Sequence, residues 1–230
     1  MLGAVFCAGW TSVATAAVYY VDGSSGTCSS SGPGTEAQPY CTITAAMNAH
    51  NGPGVTILVK PGTYREQVTV PSSGTSSSPF ELKAVSSDVI IDGADSYSNP
   101  AAWAVASGQT WLAAGVTWAP RQVIVDGARL DSVAAAPDAL PPNAFVWVSG
   151  QGLYVNLGGD NPGQHDTQVG RRSYGFSIFA KSWVTVDGFT ITRSEDRGVY
   201  LQNACSNITV SNTHQSLFVA RTSSALRSNP

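Results

Sequence analysis

The chain has 230 residues, of which 43% are hydrophobic and only 12% are charged. Its 23 glycines and 13 prolines suit many short strands joined by turns, and they argue against a helical protein. A formal net charge of −3 leaves no basic face for nucleic acid and gives no sign of an anionic membrane partner.

Residues 1–17 have the pattern of a secretion signal. The run from Leu2 to Trp10 is apolar and too short to span a bilayer, and Ala14-Thr15-Ala16 is an A-x-A cleavage pattern. No Lys or Arg precedes the apolar run, so an ordinary first strand is the alternative. We expect a secreted or cell-surface protein, in which Cys28 and Cys41 can close a Ser/Gly/Pro loop as a disulfide.

Residues 18–91 alternate short strands with turns and contain one short helix. A β-prone run at 18–21 comes first, and Thr42 or Thr44 can then cap a short helix that ends near His50. Ile43, Ala46 and Met47 share one face of that helix. Further strands are predicted at 55–59, 67–70, 80–85 and 89–91.

Repetition is the most informative feature of the sequence. Val89-Ile90-Ile91-Asp92-Gly93 recurs in similar form at 123–127 and 184–188. A longer repeat of 23 or 24 residues matches 174–178 with 197–201 and 183–186 with 207–210. A repeat of this length built from short strands predicts a solenoid, with parallel strands stacked about 4.8 Å apart. A hairpin-based β-sandwich is the competing fold, in which Asp-Gly turns join antiparallel strands.

The solenoid register predicts which side chains face the core. Alternate residues of the repeated strands should point inward: Phe176, Ile178, Val184, Val186, Val199, Leu201, Ile208 and Val210.

Two segments depart from the repeat. Residues 94–170 are rich in Trp, Ala and Pro, and we interpret them as a β-rich excursion from one coil. Its tryptophans, Trp103, Trp111, Trp118 and Trp147, form either its core, which we favour, or a sugar-stacking platform. Residues 213–230 lack a strand-turn-strand unit and a terminal cap, so the β-helix is predicted over 18–212, with its N-terminal cap at 18–70. The missing cap favours a truncated chain over a natural flexible tail.

Three N-terminal segments resemble a known family. They are 19–23, 34–43 and 59–66, the last reading Val-Lys-Pro-Gly-Thr-Tyr-Arg-Glu. Together they resemble the N-terminal cap and first coil of the pectin-lyase-like superfamily. The resemblance implies an all-β fold, a right-handed parallel β-helix with a short N-terminal capping helix, which is a monomer when full length. It also implies a polysaccharide partner, because many members handle polysaccharides in a groove along one sheet, although fold alone does not settle function.

One charged turn offers candidate chemistry. Eliminative cleavage of a uronate needs a cation for the carboxylate and a base for the C5 proton. Lys181, Arg193 and Arg197 are candidates for base or clamp, and Glu195 and Asp196 could offer oxygens to Ca²⁺. The alternative, which we favour, is a solvated turn whose opposite charges pair weakly.

Three functions follow from the sequence. The first is a secreted polysaccharide-active enzyme, a lyase rather than a hydrolase. The second is a non-catalytic carbohydrate-binding or adhesion β-helix, and the third is an inactive fragment of a longer protein.

Overall fold

A computed structural model describes residues 17–216. Residues 1–16 of the predicted signal segment 1–17, and residues 217–230, lie outside that range. The described chain opens with β1 (Ala17–Val21) and then forms α1 (Ile43–Ala49). The Thr42 hydroxyl accepts a hydrogen bond from the Ala45 N–H, which caps the helix as predicted. The predicted apolar face of α1, Ile43, Ala46 and Met47, is buried in the core. The short helix is therefore confirmed.

The first coils wind through three sheets, which we call A, B and C. The first coil contains β2 (Val55–Val59) in sheet A, β3 (Gly62–Tyr64) in sheet B and β4 (Val68–Thr69) in sheet C. The second coil opens with β5 (Phe80–Ala84) in sheet A and β6 (Val89–Asp92) in sheet B. All pairings among these strands are parallel.

After β6 the chain leaves the coils and returns only at residue 171. The nine strands of this excursion are β7 (Ala94–Ser96), β8 (Ala104–Ser107), β9 (Thr110–Ala113), β10 (Val123–Val125), β11 (Ala128–Arg129), β12 (Asp131–Ser132), β13 (Ala144–Val148), β14 (Gly152–Asn156) and β15 (Thr167–Gly170). Short 3₁₀ helices lie at Pro100–Ala102, Pro137–Ala139 and Pro162–Gln164.

The excursion has sheets and a core of its own. One sheet has the order β11-β10-β15-β7 and the other β12-β13-β14-β9-β8. Every pair in them is antiparallel except β12–β13. Trp103, Phe145, Leu153 and Val155 lie in its buried cluster, while Trp111, Trp118 and Trp147 pack against that cluster. The favoured interpretation of these tryptophans as core is confirmed.

The remaining strands complete the coils. β16 (Tyr174–Phe179) closes the second coil in sheet C. The third coil contains β17 (Ser182–Asp187), β18 (Thr190–Thr192) and β19 (Arg197–Gln202) in sheets A, B and C. The fourth opens with β20 (Ser206–Ser211) and β21 (His214–Ser216). The chain therefore visits the three parallel sheets in the same order in successive coils.

The 23- and 24-residue repeats set the register of the third and fourth coils. Phe176 is paired with Val199 in sheet C, and Val184 is paired with Ile208 in sheet A. Two residues that are paired in this way across neighbouring strands are level with each other. Phe176, Ile178, Val184 and Val186 are buried as predicted, and Val199 and Ile208 pack against the same core.

Two residues predicted to face the core are instead exposed. Leu201 and Val210 expose 47% and 39% of their surface. They belong to β19 and β20, the last strands described in sheets C and A, so no further described strand stacks on them.

Two details of the sequence interpretation were wrong. The repeat at 123–127 is not a coil strand: Val125 pairs antiparallel with Ala128 across an Asp126-Gly127 turn. Both turn residues have positive φ, 49° and 79°, which suits a tight hairpin. The coil pattern also continues past residue 212, because His214 is level with Thr190 in β21.

Candidate functional site

The outer face of sheet A carries a regular array of polar side chains. Because strand residues alternate between faces, level residues in neighbouring strands form columns across the sheet. One outward column contains Thr56, Glu81, Thr185 and Thr209, and the next contains Leu58, Lys83, Asp187 and Ser211.

A cleft of about 300 Å³ opens on this face where the chain turns from sheet C into sheet A. We call it the sheet-A cleft, and its lining residues are Ser76, Pro79, Trp183, Thr185, Asn207, Ile208 and Thr209. The lining comes from the second, third and fourth coils, so the cleft crosses the strands. Its lining combines one large aromatic ring with hydroxyl and amide groups.

Trp183 holds an unusual backbone conformation at the edge of the cleft. Its φ of 57° lies in the left-handed region, which costs a bulky residue about 1–2 kcal/mol. The pairs on either side, Ser182 with Ser206 and Val184 with Ile208, make Trp183 level with Asn207. Asn207 has φ 52°, and asparagine is a residue that tolerates this region. The third coil thus keeps a tryptophan where the fourth has a residue better suited to the turn.

The Trp183 indole also differs in its hydrogen bonding. The indole N–H groups of Trp103, Trp111, Trp118 and Trp147 each donate to a backbone carbonyl. Within residues 17–216, the Trp183 N–H has no such partner. Among residues 17–216, Trp183 is therefore the one tryptophan whose indole N–H is not used by a hydrogen bond within the protein.

The charges beside the cleft are held in local pairs. Lys83 Nζ lies 2.8 Å from Glu81 Oε1, and the Thr56 hydroxyl donates to the other Glu81 oxygen at 3.0 Å. Asp187 Oδ1 accepts from the Ser211 hydroxyl and the Asn212 amide, both at 2.8 Å. Within residues 17–216, the hydrogen bonds to the Asp187 carboxylate therefore come from neutral donors, and no cation forms an ion pair with it.

Trp183 is not among the candidate residues predicted from the sequence, although one signal could have found it. The alignment of 183–186 with 207–210 matches tryptophan with asparagine at a coil corner. Asparagine at such corners marks left-handed backbone, so a tryptophan at the same point is an exception that needs a reason.

The predicted charged turn joins β18 to β19 and is largely buried. Arg193 binds the Asp92 carboxylate through two bonds, Nε to Oδ1 at 3.0 Å and Nη2 to Oδ2 at 2.7 Å. Asp92 is fully buried, and Arg65 Nη2 lies 3.6 Å from its Oδ2. The hydrogen bond to Asp92 raises the pKa of Arg193. Arg193 therefore stays charged, and its guanidinium is held within the protein.

Glu195 links the turn to the excursion. Its side chain accepts a hydrogen bond from the Arg121 N–H at 2.6 Å, and burial raises its pKa. The Gln122 amide donates to the carbonyls of Arg193 and Ser194 at 2.8 and 3.2 Å. A Cβ at Gly170 would lie 2.5 Å from Glu195 Oε1, so a larger residue there would have to displace the Glu195 carboxylate. These contacts make the turn the docking point of the excursion.

The candidate cations do not converge on one site. The Arg197 guanidinium lies 4.8 Å from the centre of the Tyr200 ring, at the start of β19. Tyr174 is level with Arg197, and Phe179 lies five residues further along β16, about 16 Å away at 3.3 Å per residue. Lys181 follows Phe179 and lies at the other end of the sheet-C strands, near Trp183. Lys181 and Arg197 therefore belong to different regions.

The described residues do not support the candidate Ca²⁺ site at Glu195 and Asp196. One oxygen of the Glu195 carboxylate already accepts the backbone N–H of Arg121. Across residues 17–216, no group of three or more His, Cys, Asp or Glu side chains is placed to hold a metal ion.

The cysteines stabilise the N-terminal region and one coil corner. Cys28 and Cys41 form a disulfide with a Cα–Cα distance of 4.9 Å. The Cys205 thiol donates to the Ile178 carbonyl at 3.3 Å and packs against the core.

A second cavity, of about 270 Å³, lies beside the disulfide. Glu66 lines it but is bound to the N–H groups of Ile43 and Thr44, both at 2.8 Å.

Within residues 17–216, the only α-helix is far too short to cross a bilayer.

No family model matches the chain, and no curated protein matches it by sequence. One similar solved structure is described as "The complex structure of XylC with xylose", with a TM-score of 0.63 and 19% identity. Two structures of the GH136 lacto-N-biosidase from Eubacterium ramulus align with a TM-score of 0.42 and identities of 14% and 16%. They cover 87% and 86% of this chain and 34% of each lacto-N-biosidase chain.

The XylC alignment covers 77% of this chain and 35% of the XylC chain, so the match spans about a third of that protein. At this identity the likeness concerns the fold. It agrees with the parallel sheets described above and defines the class of the chain as an all-β protein built on stacked parallel sheets.

Proposed function

We propose that this chain is part of a secreted right-handed parallel β-helix protein of the pectin-lyase-like superfamily, and that it binds polysaccharide in the sheet-A cleft. The repeated order of sheets A, B and C supports the β-helix. The disulfide supports an extracytoplasmic location, because such bonds persist in oxidising compartments.

The observation that carries the proposal is Trp183. A strained backbone conformation persists where the surrounding structure maintains it, and such conformations cluster at functional sites. Here the strain places a half-buried indole beside the hydroxyl groups of Thr185 and Thr209. An aromatic ring with a few polar groups in a concave site is the usual composition of a small-molecule pocket. A sugar offers both an apolar ring face and hydroxyl groups to such a site.

The fold neighbour adds support of a weaker kind. XylC was determined with xylose, and a saccharide ligand for this chain agrees with that description.

A uronate lyase is the second candidate, and Lys181 is the observation that favours it. Lys181 lies two residues before Trp183, and within residues 17–216 its side chain forms no ion pair. It could therefore act as base at the edge of the cleft. Arg193 supports this candidate less well, because it is bound to Asp92.

Trp183→Asn tests the binding site without adding strain. Asparagine tolerates the left-handed backbone, so the thermal unfolding midpoint should stay close to that of the wild type. Loss of the indole should weaken polysaccharide binding roughly tenfold or more, since each 1.4 kcal/mol is a factor of ten. Affinity electrophoresis on a panel of soluble polysaccharides measures this effect.

Phe179→Ala is the matched control, because it removes an exposed aromatic ring from sheet C instead. Equal binding by the wild type and Trp183→Asn would refute the cleft as the site. Ultraviolet absorbance of unsaturated product from uronate polymers, compared between the wild type and Lys181→Ala, tests the lyase.

A further inference from the structure

The polar side chains that line the sheet-A cleft are uncharged, and their hydrogen-bonding groups are not used within the described part of the protein. Ser76, Trp183, Thr185, Asn207 and Thr209 line it, and none of their side chains has a hydrogen-bond partner within residues 17–216. The hydroxyl groups of Ser76, Thr185 and Thr209 and the Asn207 amide can each donate to and accept from a ligand, whereas the Trp183 indole N–H can only donate. This is the hydrogen-bonding capacity that a hydroxyl-rich, uncharged ligand uses.

The charges around the cleft disfavour an anionic ligand. No residue of the lining is charged, so a uronate carboxylate bound there would lose its water without gaining a cation. The nearest cation on the same face of sheet A, Lys83, is already paired with Glu81. Asp187 lies two residues beyond Thr185 on the same face and is bound only by neutral donors. Its negative charge would repel a carboxylate nearby.

Lys181 is the one cation close to Trp183 in the chain, but it does not line the cleft. The basic residues of the charged turn are at the opposite end of the sheet-C strands or bound to Asp92. The surroundings of the cleft are therefore neutral to negative.

We propose that the sheet-A cleft recognises a neutral polysaccharide and not a uronate polymer, an inference that rests on the saccharide-binding function proposed above. The indole packs on the apolar face of a sugar ring, while the hydroxyl groups of Thr185 and Thr209 and the Asn207 amide bind the sugar hydroxyls.

The test compares neutral polymers (mannan, β-glucan and arabinoxylan) with uronate polymers (polygalacturonate and alginate) by affinity electrophoresis. The proteins are the wild-type chain, Trp183→Asn, the control Phe179→Ala and Lys181→Ala, each shown by circular dichroism to be folded. We expect at least one neutral polymer to retard the wild type. Trp183→Asn should weaken that binding tenfold or more, and Phe179→Ala, in sheet C, should leave it within about twofold. High salt should not weaken it, because contacts between uncharged groups are not screened.

Two results would overturn the inference, and they can be told apart. Binding to uronate polymers alone, lost in Lys181→Ala or at high salt, would show that the ligand is acidic while leaving the cleft as a saccharide site. Failure of every polymer to retard the folded wild type would overturn the proposed function together with this inference.

Discussion

Glu195 is a carboxylate that the fold has removed from water. It exposes 5% of its surface and accepts the backbone N–H of Arg121. Burial opposes its charged form more than this bond favours it, and the pKa of Glu195 is raised. Glu195 therefore links the excursion to the coils, but burying its charged form near neutral pH lowers the free energy of unfolding.

This cost gives a pH dependence with a definite sign. The unfolded chain releases the glutamate proton near pH 4.5, whereas burial raises the pKa of Glu195 and the folded chain keeps the proton to a higher pH. Between these two pKa values the folded state binds more protons, so the free energy of unfolding falls as pH rises. Below the unfolded pKa both states are protonated, and the loss is absent.

Glu195→Gln keeps an acceptor oxygen and removes the titration. We expect its thermal unfolding midpoint to decline less than that of the wild type between about pH 4 and pH 7. Glu36→Gln is the control, because the Glu36 side chain is 65% exposed. Parallel curves for the wild type and Glu195→Gln would contradict the assignment.

At the scale of elements, one corner ties three coils together. Arg65 follows β3 in the first coil, Asp92 ends β6 in the second, and Arg193 follows β18 in the third. The fully buried Asp92 carboxylate contacts both guanidinium groups. This corner therefore fixes the stacking of neighbouring coils at the place where the excursion leaves.

Asp92→Ala leaves the half-buried Arg193 guanidinium without its partner. Removal of one member of a buried ion pair costs about 3–5 kcal/mol, and we expect a loss of that size in the free energy of unfolding. Urea denaturation followed by circular dichroism measures it. Glu36→Ala, which breaks an exposed pair with Lys60, should cost less than about 1 kcal/mol. A loss no larger than that of Glu36→Ala would show that the Asp92 cluster does not stabilise the coils.

The elements also show what the sequence could and could not predict. Parallel stacking of 174–178 on 197–201 was predictable, because stacked coils bury equivalent residues and so keep a common spacing. The three Asp-Gly repeats look alike but lie in three different sheets. A β-rich triplet before Asp-Gly predicts a strand followed by a turn. The strand with which it pairs is determined by contacts with residues far away in the chain.

The candidate site follows the same division. Arg193, Glu195 and Lys181 stood out by charge, but the burial of Arg193 and Glu195 against the excursion depends on contacts with Asp92, Arg121 and Gln122. Trp183 became a candidate because of its left-handed backbone conformation. A single sequence indicates that conformation only when the two repeats are aligned and Trp183 falls opposite Asn207.

At the scale of the whole molecule, the excursion is an insertion with closely spaced ends. The Gly93 carbonyl accepts the N–H groups of both Arg171 and Arg172, at 3.0 and 2.9 Å. The hydrophobic clusters of the coils and of the excursion are separate. None of the residues that line the sheet-A cleft comes from the excursion.

Replacing residues 94–170 with a two-residue Gly-Ser linker should therefore leave a folded coil region. We expect a β-type circular dichroism spectrum, cooperative unfolding at lower urea than the wild type, and retained polysaccharide binding. Stability should fall because Glu195 and Asp92 lose their cover. A variant that lacks cooperative unfolding would show that the coils need the excursion.

The insertion also sets the order in which the protein can fold. The hydrogen bond from the Tyr174 N–H to the Gln67 side chain joins residues 107 positions apart. Strand β4 pairs with β16, so this pair cannot form until the whole excursion has been synthesised. Closing a long flexible loop is slow and costly, whereas a folded excursion brings Gly93 and Arg171 together and shortens it. We expect the excursion to form first and the coils to close on it, which pulsed hydrogen exchange would show as earlier protection in β13 and β14 than in β4.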